Sequence, residues 1–183
     1  MTYKVLETEG FIFFLTGPGS NWHTGYFEAN FKPFRFLPNP GQKYTFCCGE
    51  QYMMAGKALL FEDVEIFDKI MSVTQPREHK ELGRLVHNFK PEVWDSTAEE
   101  LVFRGSCFRA VQCKDYRDML LTAKDKQFVE GNKDDRIWGV GLHWDDPAIL
   151  DPANWRGKNL LGKVHNRVQK YIIEQIDFGW SAK

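Results

Sequence analysis

A mainly helical α+β domain with short strands near both ends is the fold class this sequence predicts. Three observations carry it. Apolar residues recur at helical spacing from Glu50 to Leu121, and again from Leu161 to Ile172. Aromatic and β-branched runs, GFIFFLT from Gly10 and KQFVEG from Lys126, fall outside those stretches. No strand–helix unit repeats along the chain, which argues against a βαβ architecture. At 183 residues the chain fits one domain, 1–183, able to bury roughly two-thirds of its unfolded surface.

The elements follow in order. GFIFFLT reads as a strand, and GPGSNWHTG after it is turn chemistry. Residues 26–46 mix aromatics with Pro33, Pro38, Pro40 and Gly41, which predicts short strands and loops. A nearly all-apolar helix starts at Glu50. Val64, Phe67 and Met71, with Ile66 and Ile70, mark a second helix. Pro76 suits the first turn of a third, with Leu82, Leu85 and Val86 facing inward. Ser96-x-x-Glu99 has the form of a capping box and predicts the start of a fourth, running through Leu101, Val102, Phe108 and Val111. Asp115–Leu121 makes a fifth. KQFVEG and RIWGVGLHW read as strands around the turn GNKDD, and Leu161, Val164, Val168 and Ile172 line one face of a last helix.

Composition narrows the function. Hydrophobic residues at 43% and charged residues at 27% are ordinary for a globular protein. A formal net charge of −1 argues against bulk electrostatic capture of nucleic acid or anionic membrane. Aromatics at 15% predict either a heavy core or a site that stacks flat rings. No apolar run is long enough for a membrane span, and the N-terminus lacks a basic, cleavable leader. The cysteines at 47, 48, 107 and 113 form an adjacent pair and a C-x5-C, neither a zinc spacing nor a dense disulfide framework. Free thiols point to a reducing compartment, the cytoplasm or, in a eukaryote, the nucleus. The five histidines are scattered, so the sequence predicts no metal and no cofactor.

Why a helix as apolar as the one after Gly49 should open with Glu50 is the first functional question. A first-turn acid that complements the helix dipole contributes about 0.3–1 kcal/mol and needs no chemistry. A catalytic acid at the mouth of a pocket is the sharper reading. Other segments bear on the choice: Asn30 between aromatics, Lys57 further along the same helix, Lys80-Glu81-Leu82-Gly83-Arg84 leading to Trp94, and Asp134-Asp135-Arg136-Ile137-Trp138-Gly139-Val140-Gly141. Singly, each has a plain reading as turn, solvated helix face or core.

In order, they resemble the NADAR (YbiA-like) family over residues 26–170. The matching segments are Asn30-Phe31-Lys32-Pro33-Phe34, Cys48-Gly49-Glu50-Gln51-Tyr52-Met53-Met54-Ala55-Gly56-Lys57-Ala58 and His79-Lys80-Glu81-Leu82-Gly83-Arg84. Asp135-Arg136-Ile137-Trp138-Gly139-Val140-Gly141 and Gly157-Lys158-Asn159-Leu160-Leu161-Gly162-Lys163 complete the series. Cys48 stands where the family has Ser, and Gln51 where it has His, so that His cannot act as a base here.

The resemblance implies an N-glycosidase that hydrolyses the C1′–N bond of a ribose phosphate. Two activities are implied: removal of ADP-ribose from guanine in nucleic acid, reversing DNA ADP-ribosylation, and hydrolysis of phosphoribosyl-amine intermediates of riboflavin synthesis. A binding module for ADP-ribose or nucleotide without catalysis is the alternative of another class. Such hydrolysis passes through an oxocarbenium-like centre and needs a carboxylate near C1′ or the attacking water. Glu50 and Asp135 are the implied catalytic pair. At a helix start the dipole favours the ionised form of Glu50, and an apolar surround opposes it. Asn30, Phe31, Lys57, Arg84, Trp94, Trp138, Gly139 and Asn159 are the implied substrate-binding positions, with Lys57 and Arg84 for phosphate oxygens and the indoles for flat rings. The aromatic, Pro-rich early segment and the long stretch between Gly141 and Gly157, read as a lid or specificity loop, favour the larger ADP-ribosyl substrate. The basic stretches Arg104–Arg117 and Arg156–Lys170 offer phosphate contacts in the same direction.

Overall fold

The computed structural model describes residues 2–31, 41–123 and 125–177. Lys32, Pro33, Phe34, Pro38 and Pro40 of the early segment lie outside them. The described chain has six α-helices and five short strands, so the expected α+β class, dominated by helix, is what the sequence encodes. No helix among the described residues is long and apolar enough to cross a membrane. Two compact units divide it: residues 24–113, and residues 1–23 together with 114–183.

The second of these holds a three-stranded sheet. Strand β1 (Val5–Glu7) pairs antiparallel with β2 (Phe11–Phe14), which pairs parallel with β5 (Gln127–Glu130). A parallel partner needs a long crossover, and most of the chain separates β2 from β5. Helix α5 (Lys114–Thr122) packs on α6 (Leu160–Asp177), and α6 packs on β5. The apolar face foreseen for α6 is real: Leu161, Val164, Val168 and Ile172 are all buried. Close docking needs Gly162, whose substituted Cβ would sit 2.0 Å from the Phe128 carbonyl oxygen. His165 is buried and satisfied on both ring nitrogens, by the Tyr116 hydroxyl at 2.8 Å and the Gly19 carbonyl at 2.7 Å.

RIWGVGLHW is not a strand. Its alternation comes from Val140 and Leu142, which enter a cluster with Phe13, Val129 and Ile149 while the backbone bonds elsewhere. The stretch between Gly141 and Gly157 is likewise no free lid. It holds two 3-10 turns, Pro147–Leu150 and Pro152–Asn154, with Ile149 fully buried and the Trp155 indole N–H donating to the Ile149 carbonyl at 2.8 Å.

Residues 24–113 contain the hairpin β3 (Thr24–Ala29) and β4 (Tyr44–Cys48) and four helices: α1 (Gly49–Leu60), α2 (Val64–Ser72), α3 (Pro76–Arg84) and α4 (Pro91–Gln112). Helix α1 is central, packing against α2, α3 and α4, which explains why it can be apolar all round. Phe27, Phe31, Phe46 and Tyr52 form its aromatic core, each 2% exposed or less. Burying each ring contributes about 1.5–3 kcal/mol, so much of the aromatic content is core rather than ligand platform.

Two expectations here need correction. Helix α4 begins at Pro91, five residues before Ser96, whose hydroxyl instead donates back to the Val93 carbonyl. Proline at the first helical position was the stronger signal. In α3, Leu85 is exposed, and the buried residues within the helix are His79 and Gly83. Val86 is buried as expected.

Candidate active site

Glu50 stands in the first turn of α1 and is only 7% exposed. The turn is fixed from both sides. Cys48 is the N-cap, its sulfur accepting the Gln51 N–H at 3.4 Å. Gln51 occupies a key structural position: its side-chain oxygen accepts the Cys47 N–H at 2.7 Å, and its Nε2 donates to the carbonyls of Ile70 and Val73. An amide offers two donors and an acceptor, so one side chain satisfies three backbone groups at once. A carboxylate in the first turn stands at the positive end of the helix dipole, where negative charge is favoured.

Two turns on, Lys57 is half-buried. Its Nζ donates to the Gly83 carbonyl at 2.7 Å and lies 4.1 Å from the Phe89 ring centroid and 5.6 Å from that of Trp94. Burial lowers the Lys57 pKa from its ordinary value. One ammonium N–H is thus committed to the end of α3, and the others remain available. Arg84, the next residue, is exposed. Phe89, which sequence reasoning passed over, is packed edge-on to Phe61 at 5.3 Å and is 40% exposed.

Asn30 follows β3 and is half-buried, its carbonyl accepting the Tyr52 hydroxyl at 3.4 Å. Phe31 is 1% exposed and stacks on Tyr52 at 4.8 Å. Its ring belongs to the core and has no face to offer a ligand; its part is to fix the end of the strand that carries Asn30.

In the other unit, Asp135 organises a loop. Its Oδ1 accepts the N–H groups of Ile137 at 2.9 Å, Trp138 at 2.8 Å and Gly139 at 3.5 Å. The carbonyls of this loop then face residues 156–161. Arg136 O accepts Lys158 N–H, Ile137 O accepts Leu160 N–H, and Trp138 O accepts Leu161 N–H. The two motifs that looked separate in the sequence are therefore one backbone knot that closes the start of α6. Gly157 is needed for it, since a Cβ there would meet the Gly139 carbonyl oxygen at 2.3 Å. Trp138 is half-buried. Gly139 is buried, its carbonyl accepting the Asn159 N–H at 3.2 Å.

Asn159 is 6% exposed with φ of 52°, a conformation Asn tolerates better than most residues. Its Oδ1 accepts Glu130 N–H at 3.1 Å and its Nδ2 donates to Phe128 O at 2.9 Å. Those bonds pin β5 to α6 and give Asn159 a structural task. Trp144, unmarked in the sequence, backs onto Gly131, and its buried indole N–H has no hydrogen-bond partner among the described residues. A buried orphan donor is the kind of group a ligand oxygen satisfies.

The NADAR domain family matches residues 14–173. N-glycosidase R617 of Acanthamoeba polyphaga mimivirus is 36% identical over 169 residues, covering 90% of this chain and 98% of that one. Protein irg-1 of Caenorhabditis elegans is 34% identical, covering 87% of this chain and 77% of that protein. N-glycosidase Npun_R5314 of Nostoc punctiforme is 28% identical over 67% of this chain. The solved structure of the Escherichia coli protein YbiA superposes with a TM-score of 0.67 at 21% identity, covering 95% of this chain and 92% of that one, and so shares the fold. The chain belongs to the NADAR domain family.

Proposed function

We propose that this chain is an N-glycosidase that hydrolyses the C1′–N bond of a ribose phosphate, and that its substrate is ADP-ribose attached to guanine in nucleic acid. The observation that carries the reading is Glu50, a carboxylate held 7% exposed in the first turn of an otherwise apolar helix. Two relatives bearing the name N-glycosidase support the reaction type.

In the reaction, the bond between C1′ and the guanine nitrogen breaks, water oxygen adds to C1′, and a proton passes to the leaving nitrogen. Positive charge develops at C1′ along the way. Glu50 stabilises that charge or activates the water. Asp135 has its Oδ1 committed to backbone, so its Oδ2 is the atom that orients a ribose hydroxyl or the water. Trp138 and Trp94 offer flat faces, and Asn30 a bond to a sugar hydroxyl. Phe31, Gly139 and Asn159 act by holding their segments in place.

The larger substrate is favoured by two cations at the end of α3. Lys57 is bonded to the Gly83 carbonyl and Arg84 follows directly in the chain. A pair of cations suits a diphosphate better than a single phosphate. Phe89 beside Lys57 adds a partly exposed ring.

The test is incubation with ADP-ribosylated guanine DNA and, separately, with phosphoribosyl-amine riboflavin precursors. Release of free ADP-ribose from the first is expected, with activity that falls as salt rises. Release of ribose 5-phosphate from the second alone would assign the chain to the small metabolites. Binding to either without release would make it a non-catalytic module.

A further inference from the structure

Three thiophilic ligands converge beside the start of α1. Cys47 and Cys48 close β4, and His79 comes from α3, thirty-one residues beyond Cys48. The donor atoms Cys47 Sγ, Cys48 Sγ and a His79 ring nitrogen all lie within 4.8 Å of one another, and all three residues are buried. We propose that Cys47, Cys48 and His79 form a binding site for a thiophilic divalent cation, Zn2+, that clamps the β4–α1 junction to α3.

The distances fit. With Zn–S bonds of about 2.3 Å and Zn–N of about 2.0 Å, tetrahedral angles place two sulfurs about 3.8 Å apart and sulfur and nitrogen about 3.5 Å apart. The observed separations are 3.9 Å between the sulfurs and 3.6 Å from Cys48 Sγ to His79 Nδ1. The imidazole is already set for ligation. Its Nε2–H donates to the Val73 carbonyl at 3.0 Å, the tautomer that leaves the Nδ1 lone pair directed at Cys48. Ligating histidines are oriented by this outer bond.

Charge also fits. Two thiolates and a neutral imidazole bring a divalent ion to zero net charge, which a buried site requires. The Gln51 N–H donates to Cys48 Sγ at 3.4 Å, a bond that a metal-bound sulfur keeps. The Cys47 thiol donates to the Thr74 carbonyl at 3.4 Å, a bond given up when the metal takes the place of the thiol proton. Uptake of the ion displaces the thiol protons, two per Zn2+ when both sulfurs start protonated.

Titration of the reduced protein with Co2+ as a spectroscopic stand-in, then with Zn2+, tests the site. One equivalent of Co2+ is expected to release protons to the buffer and to produce a thiolate-to-cobalt charge-transfer band and d–d bands of tetrahedral intensity, both bands being abolished when one equivalent of Zn2+ displaces the Co2+. Cys48→Ser and His79→Gln should lose the charge-transfer intensity or the tetrahedral pattern, and Cys107→Ser with Cys113→Ser should keep both. A wild-type protein that gives no thiolate band, or a Cys47→Ser, Cys48→Ser double variant that gives the same band as wild type, overturns the site. These signals do not depend on any glycosidase activity.

Discussion

The ammonium of Lys57 and the carbonyl oxygen of Gly83 are 2.7 Å apart, joining the last turn of the central helix to the end of α3 while the same ammonium lies over Phe89. A cation placed there satisfies an orphan carbonyl at a helix C-terminus, where positive charge is favoured. Lys57→Met keeps most of the stem and removes the charge. Its expected cost in urea unfolding is about 1.5–3 kcal/mol, the range for a hydrogen bond to a charged group. The same variant should raise KM more than it lowers kcat if the remaining N–H groups meet phosphate. An unchanged unfolding midpoint would remove the structural half of this account.

Asn159 is expected to act on stability, not on substrate affinity. Asn159→Ala strands a backbone donor at Glu130 and a backbone acceptor at Phe128, each costing about 1–3 kcal/mol when buried. A fall in Tm with KM unchanged for the folded fraction is the expected pair of results. A raised KM at normal Tm would return Asn159 to the binding surface.

Asp63 gives the fold an acid-sensitive joint. Its carboxylate is buried, caps α2 through the Ile66 N–H at 3.1 Å, and accepts both the backbone N–H and the ring of His87. Burial raises its pKa, but the bonds from His87 and Ile66 together outweigh burial and hold it below the ordinary carboxylate value. The unfolded chain therefore binds the proton more readily than the folded one. This stabilisation is complete above the unfolded value of about 3.9 and is lost as pH falls through the lower folded value. Asp63→Asn should cost stability at neutral pH and flatten the decline between pH about 4 and lower pH. Parallel unfolding curves for the two proteins across that window would contradict it.

Asp135 separates shape from charge. Asp135→Asn retains an Oδ1 acceptor for the Ile137 and Trp138 N–H groups, so its Tm should stay near wild type. Asp135→Ala loses that acceptor and should cost about 1–3 kcal/mol. A loss of turnover in the Asn variant at preserved Tm would assign a working role to the charge on Oδ2. Full activity there would leave Asp135 as a loop organiser alone.

Periodicity made the helices legible because each buries a continuous stripe: the four apolar positions of α6 and the proline that opens α3 read directly from the chain. Local signals misled where long-range bonding overrode them. Ser96 has the form of a cap, yet Pro91 starts the helix, and RIWGVGLHW alternates like a strand while its carbonyls are spent on the start of α6. The tasks of Phe31 and Asn159 were hidden for the same reason, since their partners, Tyr52 and β5, are distant in sequence. Cys47, Cys48 and His79 meet only through the packing of α3 on α1, and no spacing rule spans that gap.

Glu50 bears the central claim, and single-turnover hydrolysis of ADP-ribosylated guanine DNA by Glu50→Gln tests it most directly. The substitution keeps size and shape at a buried helix start while removing the charge. The account predicts a folded protein, with far-ultraviolet circular dichroism like wild type, whose rate of ADP-ribose release falls by about 100-fold or more. A folded Glu50→Gln that releases ADP-ribose within about twofold of the wild-type rate, far short of the loss expected for a missing acid–base group, would contradict it.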